Sequence, residues 1–150
     1  MGTRSAACAC GQITLSVIGE PSTVSMCHCL QCQRRTGSTY SVHAYFSTEQ
    51  VTIRGAAKRY SRPSDAGRLV HFHFCTNCGS TTYWYLEPFP DRIGVPVGLF
   101  ADPAFPPPKV SIFAPHRHPW VAGPPGIPQT DGHSPTFNEE ADRAGAQLNT

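Results

Sequence analysis

Residues 68–87 read RLVHFHFCTNCGSTTYWYLE. In the left half Phe72 and Phe74 fall on one face and His71 and His73 on the other, the period-two alternation of a strand, with Leu69 and Val70 slightly out of phase. The right half, STTYWYLE, is mostly β-branched and aromatic, which is strand composition. Between them stands Cys75-x-x-Cys78-Gly79. A turn of this kind is a knuckle. Its two sulfurs converge on one metal ion, its backbone amides point at them and offset their charge, and the glycine supplies the backbone freedom the turn needs.

The rest of the first hundred residues has the same texture. QITLSVIG places Ile13, Leu15 and Val17 on one side, and TYSVHAYFS repeats Tyr40, Val42, Ala44 and Phe46 at period two. QVTIRG and AKRYS are short and end at turn residues, and DRIGVPVGLF alternates Ile93, Val95 and Val97. Short alternating segments with turn signals about every ten residues predict a mostly β domain. No long window repeats at helical spacing. A short helix is expected after Cys29, in LQCQRRTG, closed by Gly37. From Pro88 onward the chain holds 13 of its 15 prolines. That segment predicts an extended strap over the domain, with Val110, Ile112 and Phe113 adding one more strand. The last twenty residues are polar and weakly patterned, and the reading is a loosely held tail with a helical turn near Glu139 to Ala146. The expected division is a zinc-binding β domain over 1–121 and a proline-rich, polar tail over 122–150.

The chain has 150 residues and a formal charge of +2. That length suits one domain with a real core. The charge is too small to argue for nucleic acid, and the densest basic patch (Arg54, Lys58, Arg59, Arg62, Arg68) reads as a solvated face rather than a phosphate-binding stripe. No apolar run approaches the roughly 20 residues of a membrane span. The first residues lack the pattern of a secretory signal, and Ala6 stands where a myristoylation signal has Ser or Thr.

The seven cysteines fall in three groups: Cys8 and Cys10, then Cys27, Cys29 and Cys32, then Cys75 and Cys78. The number is odd, and C-x-C neighbours are difficult to bridge within disulfide geometry. The expectation is a reduced protein in a cytoplasmic setting, where clustered cysteines bind metal or do thiol chemistry. On an extended strand Cys8 and Cys10 would face the same way and offer two sulfurs to one ion. With Cys75 and Cys78 they make a four-cysteine site, although spacing alone lets Cys27 and Cys29 serve the knuckle equally. Three thiolates holding zinc leave one position open, the catalytic arrangement. The bland reading stays beside it: a histidine (His28, His43, His71, His73 or His116) closes the triad structurally, or the triad is partly spare thiols.

CACGQITLSV, CHCLQCQRRTGSTY, HFCTNCGSTTYW and VPVGLFADPAF…PKVSIFAPHRHPW together resemble the glutathione-dependent formaldehyde-activating enzyme family, whose domain is shared with the centromere protein V group. The resemblance covers about residues 6 to 121. It implies an all-β, Mss4-like fold with two zinc ions. Cys8, Cys10, Cys75 and Cys78 match the structural zinc. Cys27, Cys29 and Cys32 match the second, labile, active-site zinc. The implied activity is a carbon–sulfur lyase that forms or cleaves S-hydroxymethylglutathione from formaldehyde and glutathione. Arg34 and Arg35 are candidates to hold glutathione's carboxylates by bidentate pairing, and His43, His71 and His73 are candidate proton shuttles. Where many members have Arg directly after the last triad cysteine, this chain has Gln33. A zinc-stabilised binding or scaffolding module without catalysis is the competing reading, and the oligomeric state is left open.

Overall fold

The computed structural model describes residues 1–64 and 67–148. The chain is mostly β, with strands gathered into one three-stranded and one seven-stranded sheet among the described residues. It divides into two compact units, Met1–Ser22 with Ala44–Phe105, and Thr23–His43 with the chain from Pro106 onward.

In the first unit β1 (Thr3–Ala7), β2 (Thr14–Ile18) and β5 (Val51–Arg54) pair antiparallel. Ile13, Leu15 and Val17 are buried together, as their alternation predicts, and Ala6 lies opposite Leu15. Strands β6 (Ala57–Pro63), β7 (Leu69–Cys75), β8 (Thr81–Leu86) and β9 (Phe89–Pro96) follow as an antiparallel run. The opening stretch of sequence is therefore β7, a knuckle and β8. Val70, Phe72 and Trp84 form the buried side, packed by Tyr45 and Leu86. Trp84 donates its indole N–H to the Tyr45 hydroxyl at 3.2 Å. Trp84 sits opposite Gly94, and any Cβ there would collide with the indole. Phe74 departs from the predicted alternation: the register shifts between His73 and Phe74 and leaves Phe74 only half-buried.

In the second unit β3 (Thr23–Cys27) pairs parallel with β10 (Val110–Ile112), which places Cys27 opposite Ile112. Between β3 and β4 (Ser41–Ser47) stands the expected short helix, α1 (Leu30–Thr36). Gly37 closes it in the left-handed region at φ 68°, which a glycine adopts at no steric cost. Strand β4 departs from the predicted pattern. Ser41 and His43 are buried in its first half and Ala44 and Phe46 in its second, while Val42 is half-exposed. The strand passes from one unit to the other between His43 and Ala44, so each half buries its own side.

The proline-rich strap runs beside β10. Ser111 donates to Pro128 O and Thr130 to Ser111 O, both at 2.9 Å, which forms a parallel bridge to Gln129. Beyond it the structure has a helix, α2 (Pro135–Leu148), longer than the single turn expected near Glu139 to Ala146. Its start is built from Ser134, whose hydroxyl accepts from Phe137 N at 3.3 Å, followed by Pro135. A serine cap followed by proline at the first helical position is a strong start signal, and weak hydrophobic patterning hid it. Among the described residues no helix is long and apolar enough to cross a membrane.

Candidate metal centres

Two groups of cysteines have sulfurs that all lie within 4.8 Å of one another: Cys8, Cys10, Cys75 and Cys78 in the first unit, and Cys27, Cys29 and Cys32 in the second. The division into four and three is the one the resemblance implies.

The four-cysteine group joins the loop after β1 to the knuckle between β7 and β8. Cys8 and Cys10 do not lie on an extended strand as expected. Strand β1 ends at Ala7, and Gly11 at φ 80° turns the chain so that its N–H donates to Cys8 O at 3.0 Å. This turn brings the Cys10 sulfur to 3.7 Å from Cys8 and 3.6 Å from Cys75. Ile13 N–H points at the Cys8 sulfur at 3.2 Å, and Ala9 N–H donates to the Ser80 hydroxyl at 3.1 Å. The Ser80 hydroxyl, with the backbone N–H groups of Ser80 and Cys10, holds the Cys78 thiol down to about 5. The amides thus offset the sulfur charge, as the knuckle reading requires. Four converging sulfurs, one already favouring the thiolate, fit a soft tetrahedral ion such as zinc.

The triad is assembled from three kinds of local structure. Cys27 is the last residue of β3, Cys29 is the N-cap of α1, and Cys32 is in its first turn. The Cys29 sulfur accepts from Cys32 N–H at 3.2 Å, so the cap itself draws two of the sulfurs together. Cys27 and Cys32 are buried with Ile112, and Val110 and Phe113 pack against them. The neighbouring sulfurs of Cys29 and Cys32, with burial, push the Cys27 thiol well up. Cys32 is shifted up as well: its hydrogen bond with Cys27 and the nearby Arg35 favour the thiolate, but Cys29 and burial outweigh them. A buried trio of thiols is therefore stable as neutral groups or around a cation, but not as bare anions. That donor set fits a divalent ion. No histidine nitrogen completes the group among the described residues.

His28 is fully buried and turned toward Ser111, with Nε2 2.8 Å from its hydroxyl. His71 bonds Ser61 at 2.7 Å and His73 stacks on Tyr83 at 4.5 Å, both in the first unit, and His116 is exposed. His43 differs from the solvent-facing strand residue that alternation suggests. It is 5 % exposed. Burial first, then Arg35 and His133, lower its pKa to about 3 against an opposing pull from Cys29. Of the two arginine candidates, Arg34 is exposed, while Arg35 is half-buried, donates to the Ser41 hydroxyl at 3.1 Å and is felt by both Cys32 and His43.

Gln33, the departure from the family pattern, is a clasp. Its Nε2 donates to His28 O at 2.9 Å and to His116 O at 3.2 Å, and its Oε1 lies 3.1 Å from His118 Nε2, which fixes that nitrogen as the donor. One amide thereby ties the 116–118 segment to the triad loop. An arginine could not accept the His118 bond, because it has no acceptor. Nothing in the spacing of charges or cysteines signals Gln33, His118 or His133.

The low pKa of His43 has a measurable consequence. A histidine that stays neutral in the fold while its unfolded form titrates near 6.5 contributes stability fully present above pH 6.5 and lost as pH falls toward 3. By pH 5 that loss is about 2 kcal/mol. Urea unfolding at pH 7 and pH 5 should show a steeper decline for the wild type than for His43→Gln; parallel declines would mean that His43 is not held neutral.

A mostly β chain with one four-sulfur and one three-sulfur group has the donor chemistry to hold two metal ions. The model of the glutathione-dependent formaldehyde-activating enzyme family matches residues 3–116, and the chain belongs to that family. It is similar to an uncharacterized lyase of Schizosaccharomyces pombe, 31% identical over 77 residues, which cover 51% of this chain and 53% of that protein. The match thus spans about half the length of this curated relative. The crystal structure of a Rhodobacter sphaeroides protein shares the fold, with a TM-score of 0.51 at 19% identity over 84% of this chain and 99% of that one.

Proposed function

We propose that the chain is a zinc-dependent carbon–sulfur lyase that adds a small aldehyde, formaldehyde first, to the thiol of glutathione or a related thiol, and removes it in reverse. The observation that carries this reading is the triad: three convergent sulfurs with no fourth protein ligand among the described residues, beside the cation Arg35. Family membership and the name of the yeast relative support it. Cys27, Cys29 and Cys32 would hold the second zinc, and Cys8, Cys10, Cys75 and Cys78 the first. A zinc ion at the triad would supply a Lewis acid and lower the pKa of a thiol that joins it.

The chain's own groups do the rest. Arg35 pairs with a carboxylate of the thiol substrate; exposed Arg34 is the weaker candidate. Gln33 holds the 116–118 segment on the triad loop and so fixes one side of the approach. In the addition the sulfur–carbon bond forms, the carbonyl π bond breaks, and the thiol proton ends on the new hydroxyl. Of the candidate proton shuttles His43 is the one in the triad's own unit, and its low pKa makes it a poor acceptor of that proton. Holding the two reactants together supplies much of the rate gain. The reading places the protein in a reducing compartment such as the cytoplasm.

The test is to mix formaldehyde and glutathione with zinc-loaded protein and follow the adduct by exchange NMR. Faster interconversion than in buffer is expected, and Arg35→Ala should raise KM more than it lowers kcat. Zinc-loaded protein that leaves the exchange rate at its buffer value would overturn the proposal.

A further inference from the structure

The triad's three sulfurs sit on two short pieces of chain, and one residue grips both. Cys27 and Cys29 flank His28, and Cys32 precedes Gln33. His28 is fully buried. From one side β10 holds it: its N–H donates to Ile112 O at 3.1 Å, and its Nε2 lies 2.8 Å from the Ser111 hydroxyl. From the other side Gln33 holds it. The Gln33 amide donates to His28 O at 2.9 Å, and the Gln33 backbone N–H donates to Cys29 O at 3.0 Å. The peptide between two of the sulfurs is therefore clamped by the residue that follows the third.

An amide nitrogen has two hydrogens to donate. The second goes to His116 O at 3.2 Å. His116 closes a tight turn: its N–H donates to Phe113 O at 3.1 Å, and Arg117 N–H donates to Ala114 O at 3.0 Å. Phe113 opens that turn in the left-handed region at φ 56° and packs on the cluster of Cys27, Cys32 and Ile112. A bulky residue rarely adopts this backbone, and it persists where its surroundings over-determine it. Both donor bonds of one side chain thus end on carbonyls of segments that border the sulfurs. The sulfurs themselves lie within 4.8 Å of one another. A ligand set held at such spacing by bonds outside it loses less freedom when an ion binds, and so holds the ion more tightly.

We propose that Gln33 is a positioning residue of the triad: its two donor bonds keep Cys27, Cys29 and Cys32 in the shape that holds an ion, and so set how tightly the triad keeps its metal. This rests on the reading of the triad as a zinc site. It goes beyond that reading by naming the group outside the ligands that governs the ion's hold.

The experiment is competition for zinc between the fully loaded chain and a chromophoric chelator, with the four-cysteine site as internal reference. The wild type should release its two ions in separate steps, the triad's first. Gln33→Met keeps the length of the side chain and removes its three hydrogen bonds. It should weaken the first step about 10- to 100-fold, the usual effect of losing an outer partner of a metal site, and leave the second step where it was. Gln33→Glu removes the donors, keeps an acceptor for His118, and adds a negative charge that by itself favours a cation; it should weaken the first step too. His118→Phe removes the acceptor bond alone and should leave both steps unchanged. Wild-type release from the triad in either Gln33 variant overturns the inference and leaves the lyase reading standing. So does equal weakening of both steps, the mark of a general loss of stability, and so does a loss in His118→Phe as large as in Gln33→Met. A wild type that binds a single zinc has no ion at the triad, and the lyase reading falls with the inference.

Discussion

Replacing Cys75 by serine should unfold the chain, whereas replacing Cys29 by serine should leave it folded. Cys75 is 1 % exposed and ends β7 at the knuckle. Its group joins the loop after β1 to a turn some 65 residues later, since Cys10 and Cys75 touch at 3.6 Å. A structural zinc site contributes about 10–16 kcal/mol of binding free energy to the folded state. The whole stability of a domain is about 5–15 kcal/mol. If losing one of the four thiolates costs the site its ion, it removes an amount comparable with everything that keeps the domain folded. It also leaves a buried hydroxyl facing three sulfurs. Cys29 is only half-buried. Its structural duty is to accept the Cys32 N–H at the helix cap, and serine is among the best N-cap residues. Cys29→Ser should keep α1 and cost the triad its ion. Far-UV circular dichroism and melting curves on both variants decide this. If the two variants lose structure alike, the division into four and three cysteines is wrong.

The strands were legible because side-chain alternation is a local record of burial. Ile13, Leu15 and Val17, and Phe72, sit where period two puts a core. The record failed where a strand changes what it faces. At His43 and Ala44 two consecutive residues are buried, and at Phe74 a register shift moves the ring out. A single alternation cannot encode either event. The cysteine groups were legible by type and spacing, but their partition needed the family resemblance, since two different pairs could have met the knuckle. What surrounds the triad was not legible. In sequence Gln33 shows only as a departure from the family pattern; that His28, His116 and His118 share its amide shows only in the fold. His133 lies about 100 residues from the triad in sequence, inside a segment whose composition suggests a loose tail. Its placement depends on hydrogen bonds between the strap and β10, which leave no periodic signal.

Dialysis against millimolar glutathione at neutral pH should take the zinc content from two ions per chain to one. The two sites differ in how they resist a competing thiol. In the four-cysteine set every position is filled; Ser80 and two backbone amides hold the Cys78 thiol down to about 5, while Cys75 is shifted up. An ion leaving that site would abandon a sulfur that stays charged. The triad is the opposite case. It offers three sulfurs, so an external thiol joins the ion without first displacing a ligand. Cys27 and Cys32 are both pushed toward the neutral thiol by their neighbours and by burial. They take up protons as the ion leaves, so protons and glutathione act together in removing it. Lowering the pH toward 6 in the same buffer should therefore speed the loss of the triad ion. Cys29→Ser protein should begin at one zinc and stay there, because the remaining ion belongs to the four-cysteine site. Elemental analysis before and after dialysis reads all of this directly. A wild-type chain that keeps two zincs in glutathione, or holds only one from the start, has no labile thiol-accessible centre, and the triad then has no open position for a substrate thiol.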